Sequence, residues 1–236
     1  MADEAIHKQD LAEQVYRILL AKIVEREVPT GLRFTLRETA QSLKVSVTPV
    51  RDAILRLQVE GFVEVGPRGW LIPSLTLEIV REVFEARDMI EVYAAARAVE
   101  RATDAELGAL DEIIRGMAEV FADATCLDPV QYWELNARFH QTLVALAHNQ
   151  RLIDLHAQLH CFALLRRLRA LPQGGIDSAD FQAHRAIQAA MHARDVVAVE
   201  WALRAHLVAA HNSLLARVAE NESVLDAPPA QAAERS

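Results

Sequence analysis

Apolar residues recur at helical spacing through Leu11, Val15, Ile18, Leu19 and Ile23, so the chain is expected to begin with an amphipathic helix over 11–27. That helix ends before Val28-Pro29-Thr30-Gly31, a turn signal. Thr35-x-x-Glu38 is a capping box, in which hydroxyl and carboxylate satisfy free backbone donors. It opens a short helix through Leu43, and Lys44-Val45 makes a corner. Ser46 is a good N-cap for the next helix, and Pro49 falls in its first turn, where a missing N–H does no harm. This helix runs to about Val59 and stops at Gly61. Phe62 to Val65, then Gly66-Pro67-Arg68-Gly69, then Trp70-Leu71-Ile72 reads as a β-hairpin, the one strand signal in the chain. Three helices and a hairpin predict a winged helix-turn-helix.

Pro73-Ser74 marks a boundary, and beyond it the pattern is helical throughout. The expected helices cover about 77–100, 104–123, 129–147, 150–170, 178–193 and 196–220. Their breaks carry stop and start signals: a second capping box Thr103-x-x-Glu106, Asp128-Pro129, His148-Asn149, Leu171 to Gly175, and Arg194-Asp195. Six helices of this length predict one antiparallel bundle. The tail from Ser223 has no apolar periodicity and reads as disordered. The expected fold is therefore mainly α: a winged helix-turn-helix with one small β-hairpin over 1–73, a six-helix bundle over 74–222, and a tail over 223–236.

Composition agrees with helix. Apolar residues make up 52% of the 236, and glycine and proline number only eight each, which argues against disorder and against an all-β architecture. Cys126 and Cys161 lie in different segments and form no CxxC, as expected of two thiols in a reducing compartment. No apolar run reaches the ~20 residues of a membrane span, and the N-terminus lacks a signal-peptide core. A cytoplasmic protein without membrane contact is expected. Net charge is −8, but residues 1–74 hold ten basic and ten acidic side chains, so the whole excess lies beyond them. Within 31–70 the balance is six basic to four acidic. DNA affinity depends on a local basic face rather than on the chain total. The excess is small, so two copies on two half-sites are expected.

The two short helices around the corner carry the chemistry of groove recognition. A helix N-terminus attracts phosphate through its free N–H groups and dipole, and Ser46 and Thr48 add hydroxyls there. Arg51 lies on the same face as Thr48, where its guanidinium can pair with guanine O6 and N7. Arg37 could reach a base edge or phosphate, Lys44 a phosphate, and Arg68 and Gly69 at the hairpin tip the minor groove or backbone. The bland alternative is a solvated helical hairpin with ordinary surface charges. The run Val45 to Leu57, followed by Glu60-Gly61-Phe62-Val63, resembles the DNA-binding signature of GntR-family transcription regulators. The resemblance covers 11–72 and implies that Arg37, Ser46, Thr48, Arg51 and Gly69 match DNA-contacting positions. Val47 stands where that family usually has Arg, which removes one basic contact and leaves room for contact with a thymine methyl.

Eight of the nine histidines lie beyond residue 139. Asn136 and His140 are spaced i, i+4 and share a helix face. His184 is about ten residues before the Arg194-Asp195 turn and His206 about eleven after it, so on antiparallel helices they stand at one height. A facing His140 could complete a three-imidazole site for a divalent transition metal. The alternative is that these histidines merely bond to neighbours. His156 and His160 form a rival i, i+4 pair without a third partner placed by the same argument. The segments Val83 to Ala98, Asn136-x-x-Phe139-His140-x-x-Leu143, His184 to Ile187 and Arg204 to Leu207 resemble, in order, the FCD domain. This is the helical effector-binding domain of the FadR subfamily of GntR regulators, and six bundle helices look like its VanR-type branch. The resemblance implies a metal on Asn136, His140, His184 and His206, zinc foremost, with nickel or manganese as alternatives.

It also implies a small organic acid as effector. Arg87 is the candidate to pair with the acid's carboxylate, its alternative being an ion pair between helices; Arg166, Arg167 and Arg169 are weaker candidates. The expected function is a homodimeric, ligand-responsive repressor on a double-stranded operator, and not an enzyme. A metal-dependent hydrolase with an accessory winged helix is the alternative, but no His-Glu-x-x-His motif supplies its base. An adaptor whose winged helix binds protein is a third reading.

Overall fold

Local capping chemistry sets most of the element boundaries in the computed structural model, which describes residues 2–25, 31–66, 69–73, 76–122, 125–169, 176 and 178–219. The chain divides into two units, residues 1–76 with 162–171 and 223–236, and residues 77–161 with 172–222.

In the first unit α1 spans Ala2–Val24, α2 Leu36–Leu43 and α3 Val47–Val59. The Thr35 hydroxyl accepts from the Glu38 N–H and the Glu38 carboxylate accepts from the Thr35 N–H, so the capping box is complete. The corner turns on Lys44, which adopts the left-handed conformation at φ 56° and donates its N–H back into α2. Ser46 stands at the N-cap with extended backbone but makes no side-chain capping bond. Val15, Leu20, Val50, Ile54, Leu57 and Phe62 form the core between α1 and α3. Polar ties back it up: Tyr16 donates to Glu60 at 2.6 Å, and Arg56 sits 3.7 Å over the Tyr16 ring while bonding Glu60 and Glu13.

The hairpin strands are β2, Glu64–Gly66, and β3, Gly69–Leu71. A third strand, β1 at Arg33–Phe34, pairs antiparallel with β3, giving the order β1-β3-β2. Two residues are too few to show alternation, so this strand left no trace in the pattern. Gly69 has φ +129°, and a Cβ there would lie 2.6 Å from the Phe34 carbonyl oxygen. The sheet itself thus requires glycine at this position. The turn at Pro67-Arg68 lies outside the described residues, as do the turn at 26–30, Ser74 and the tail.

The second unit begins with α4, Leu77–Arg87, which continues through a π-helical segment, Asp88–Val92, into α5, Tyr93–Arg101. Backbone angles stay helical across both junctions, so the expected single helix is present but carries one wide turn. The next helix, α6, spans Asp104–Glu119 and opens on the Thr103 capping box. The expected helix over 104–123 stops short, because Phe121–Ala122 (β4) pairs with Thr125–Cys126 (β5). Asp128 caps α7, Pro129–Ala145, with Pro129 in its first turn. The span 150–170 is not one helix. It breaks into α8, Gln150–Gln158, and α9, Cys161–Arg169, at His160, whose φ is 46°. α9 falls almost wholly in the first unit, where Ala163 joins the core and Arg167 donates to the Pro73 carbonyl at 2.9 Å. Finally α10, Ser178–His192, and α11, Val196–Ala219, form an antiparallel pair about Arg194, again left-handed. Leu107, Leu110, Phe139, Leu143, Ile187 and Leu203 anchor the core they share with α5, α6 and α7. Among the described residues no helix is long and apolar enough to cross a membrane.

Candidate functional site

Three helices bring imidazoles to one point inside the second unit. His140 on α7, His184 on α10 and His206 on α11 are all buried. One ring nitrogen from each lies within 4.8 Å of the others, the one such metal-capable cluster among the described residues. The Nε2 atoms of His140 and His206 are 3.3 Å apart. Two nitrogens on one zinc ion at ordinary bond lengths are about 3.3 Å apart. The expected match in height between His184 and His206 is visible as a ring separation of 4.3 Å. Asn136, one turn before His140, is buried beside them and its Nδ2 lies 3.2 Å from His184 Nε2.

The outer ring nitrogens fix which face each imidazole shows to the centre. His184 Nδ1 lies 2.7 Å from the Asp180 carbonyl oxygen, which can only accept. The proton is therefore assigned to Nδ1, and Nε2 keeps its lone pair for Asn136 or for a metal. His140 Nδ1 lies 2.7 Å from Glu91 Oε2, giving the same assignment. His206 Nδ1 is 3.7 Å from Asp180 Oδ1. Burial depresses the His140 pKa to about 4, with the nearby Arg87 and His184 acting in the same direction and Glu91 against them. Burial likewise holds His206 well below its usual range, helped by the other two imidazoles. At neutral pH His140 and His206 are thus unprotonated donors, the form a divalent ion requires. The donor set fits a transition metal.

A buried ion pair adjoins the cluster. Arg87 Nε donates to Glu91 Oε1 at 2.6 Å, and both side chains are buried. Burial alone would raise the Glu91 pKa, but Arg87, His140 and His156 hold it well below the carboxylate range. Burial would lower the Arg87 pKa, but the carboxylates of Glu91 and Asp180 push it upward. The candidate effector arginine therefore faces a carboxylate of its own helix, one bond removed from His140. His156 belongs to this network too, its Nε2 donating to Glu91 Oε1 at 3.0 Å. The other histidines lie elsewhere: His148 bonds Glu106, His192 bonds Asp111, and His211 stacks on Phe84.

Sequence reasoning missed Glu91 and Asp180. Asp180 accepts from His184 through its backbone and from the Tyr132 hydroxyl at 2.7 Å through its side chain. Both acids sit four residues from a residue already singled out, Arg87 and His184. That spacing was the available signal.

On the first unit, Arg37, Lys44, Ser46, Thr48 and Arg51 are all exposed around the start of α3. Neither Arg37 nor Arg51 has an ion pair among the described residues. Gly69 is half-buried in the sheet, and Arg68 lies outside the described residues. Val47 packs in part against the core.

Comparison with known proteins matches residues 82–209 to the FCD domain and residues 11–70 to the bacterial regulatory proteins of the gntR family. The HTH-type transcriptional repressor RspR of Escherichia coli K12 is 28% identical over 202 residues, covering 84% of this chain and 86% of that one. Among solved structures, E. coli McbR/YncC superposes with a TM-score of 0.64 at 22% identity, over 88% of this chain and 98% of that one. A GntR transcriptional regulator from Rhodococcus sp. RHA1 gives 0.64 at 20% identity, over 87% and 97%. These two share the fold. The matched proteins are transcription factors, and the hydrolase alternative finds no counterpart among them.

Proposed function

Because the chain belongs to the gntR family of bacterial regulatory proteins and carries an FCD domain, we propose that it is a homodimeric repressor whose grip on a palindromic operator is set by a small organic acid bound beside a divalent transition metal. The observation that carries the sensing half is the convergence of three buried imidazoles on α7, α10 and α11. His140, His184 and His206 would hold the metal through Nε2. Asn136 would join through its amide oxygen, which requires the amide to turn from its present bond to His184. Zinc is the first choice, with nickel or manganese next. When bound, such an ion supplies open positions for a carboxylate. Arg87 is proposed to share its charge between Glu91 and the acid. The repressor direction rests on likeness to RspR, which bears that description.

For the DNA-reading half, the exposed start of α3 supports Ser46, Thr48 and Arg51 as groove contacts, with Arg37 and Lys44 beside them and Arg68 and Gly69 at the wing. Arg51→Ala is expected to weaken operator binding roughly 5- to 150-fold at moderate salt, the value of one paired guanine contact, with thermal unfolding unchanged. Footprinting and mobility-shift titration of the parent and variant on the chain's own promoter region are the measurements. Full affinity in the variant would remove Arg51 from the recognition face. Protection of no duplex by the parent would end the proposal.

The homodimer has its own support. Met89 in the π-helical segment and Tyr93 at the start of α5, and Val197, Trp201 and Val208 on α11, are exposed apolar side chains, Trp201 to 75%. The π-helical segment and α11 are linked by the Arg204–Asp88 ion pair at 3.3 Å. Such side chains are common at subunit interfaces. Trp201→Asp is expected to give monomers in light scattering and to cost the avidity of two half-sites. A variant that stays dimeric would place the interface elsewhere. For the effector, a thermal-shift screen of small organic acids with and without chelator is the test, and a shift that chelation leaves intact would separate the acid from the metal.

A further inference from the structure

We propose that Glu91 is the positioning residue of the three-histidine site: its carboxylate fixes the His140 ring so that Nε2, not Nδ1, faces the metal position. The inference rests on the metal reading above and adds to it the group that decides how one ligand is presented.

A neutral imidazole has one N–H and one lone pair, and the hydrogen bond made by one nitrogen decides the role of the other. Each ligand therefore needs an acceptor behind it. For His184 that acceptor is a backbone carbonyl, that of Asp180 at 2.7 Å, which no substitution removes. For His140 it is a side chain, Glu91 at 2.7 Å. Without it the Nδ1 proton loses the carboxylate that holds it there, and the proton can move to Nε2, where it opposes coordination.

Glu91 is suited to the task because it cannot turn. Its partners come from three elements: Arg87 from its own helix, His140 from α7 and His156 from α8. Oε1 takes Arg87 Nε and His156, while Oε2 takes His140 at 2.7 Å with the Arg87 Nη2 farther off at 3.4 Å. Glu91 is fully buried and lies in the π-helical segment, so no water competes for Oε2. Partners of this kind behind a ligand typically change metal affinity 10- to 100-fold.

The test must remove the acceptor without stranding the buried guanidinium. Two double variants do so: Arg87→Met with Glu91→Leu, and Arg87→Met with Glu91→Gln. Both lack the ion pair, and only the second keeps an oxygen for His140. Zinc affinity is read by competition with a chromophoric chelator, and thermal unfolding checks the fold. The Leu variant is expected to bind zinc roughly 10- to 100-fold more weakly than the parent, and the Gln variant within roughly threefold of it. Equal affinities in the two variants, weak or strong, overturn the proposal. A second measurement needs no variant: imidazole ¹⁵N spectra of the metal-free parent should show the His140 proton on Nδ1. A proton on Nε2 overturns the proposal even if the Leu variant fails to fold. A parent that takes up no zinc, nickel or manganese removes the metal reading and the inference together, whereas zinc binding that ignores Glu91 removes the inference alone.

Discussion

His184→Ala is expected to lower zinc affinity at least about a hundredfold, more than the loss of a supporting partner behind a ligand. His184 supplies one of only three imidazoles, and its Nε2 is also the atom that Asn136 touches. Removing the ring deletes a ligand and leaves the asparagine amide without its present partner. The Asp180 carbonyl loses its imidazole donor as well, so some loss of thermal stability should accompany the loss of metal. The helices themselves do not depend on the ring, and circular dichroism should change little. Metal analysis of parent and variant purified side by side is the measurement. Equal metal content would show that the cluster is a set of mutually bonded histidines and not a metal centre.

That cluster was legible because two independent periodicities converge on it. The i, i+4 spacing puts Asn136 and His140 on one face, and the count of residues about Arg194 puts His184 and His206 level. Helix starts were legible for a similar reason. Thr35, Thr103 and Asp128 act on their own first turns, so the sequence alone contains both partners. What was hidden lacks that locality. Lys44, His148, His160 and Arg194 all adopt left-handed backbone conformations, where glycine is the usual signal. Of these only His160 interrupts a stretch that reads as one helix, and nothing in 150–170 marks it. Glu91 was hidden by resemblance to the ordinary: an Arg-x-x-x-Glu spacing on a helix is usually a solvated pair. Here the pair is buried, because α7 and α8 bring His140 and His156 over it. The DNA-reading residues were chosen from chemistry and resemblance, and the structure leaves them exposed at the start of α3 without saying what they touch.

Metal-free protein should lose stability as pH falls from 7 to about 5, above the range in which its carboxylates take part. The sign follows from the buried imidazoles. His140 has an ordinary value of 6.5 and is depressed to about 4 in the fold. Between those values the unfolded chain binds a proton that the folded one refuses, so unfolding is favoured by acid. The contribution is complete above about 6.5 and has gone by about 4. Its size for His140 alone is about 3 kcal/mol, large beside a typical domain stability of about 5–15 kcal/mol. His206 and the less buried His211 are depressed by burial too and act in the same direction. The paired carboxylates cannot mimic this window. Glu91, Glu106 and Asp111 are held below their ordinary values of 4.5, 4.5 and 3.8, so their contributions are complete above those values and are lost only as pH falls below them. Thermal unfolding of chelator-treated protein at steps between pH 7 and 5 therefore isolates the histidines. A clear fall in Tm over that interval is expected, and saturating zinc at pH 7 should raise Tm by binding the folded state alone. A Tm that stays level from pH 7 to 5 would mean that the three imidazoles are open to solvent protons, and the closed, dry site argued for above would not exist.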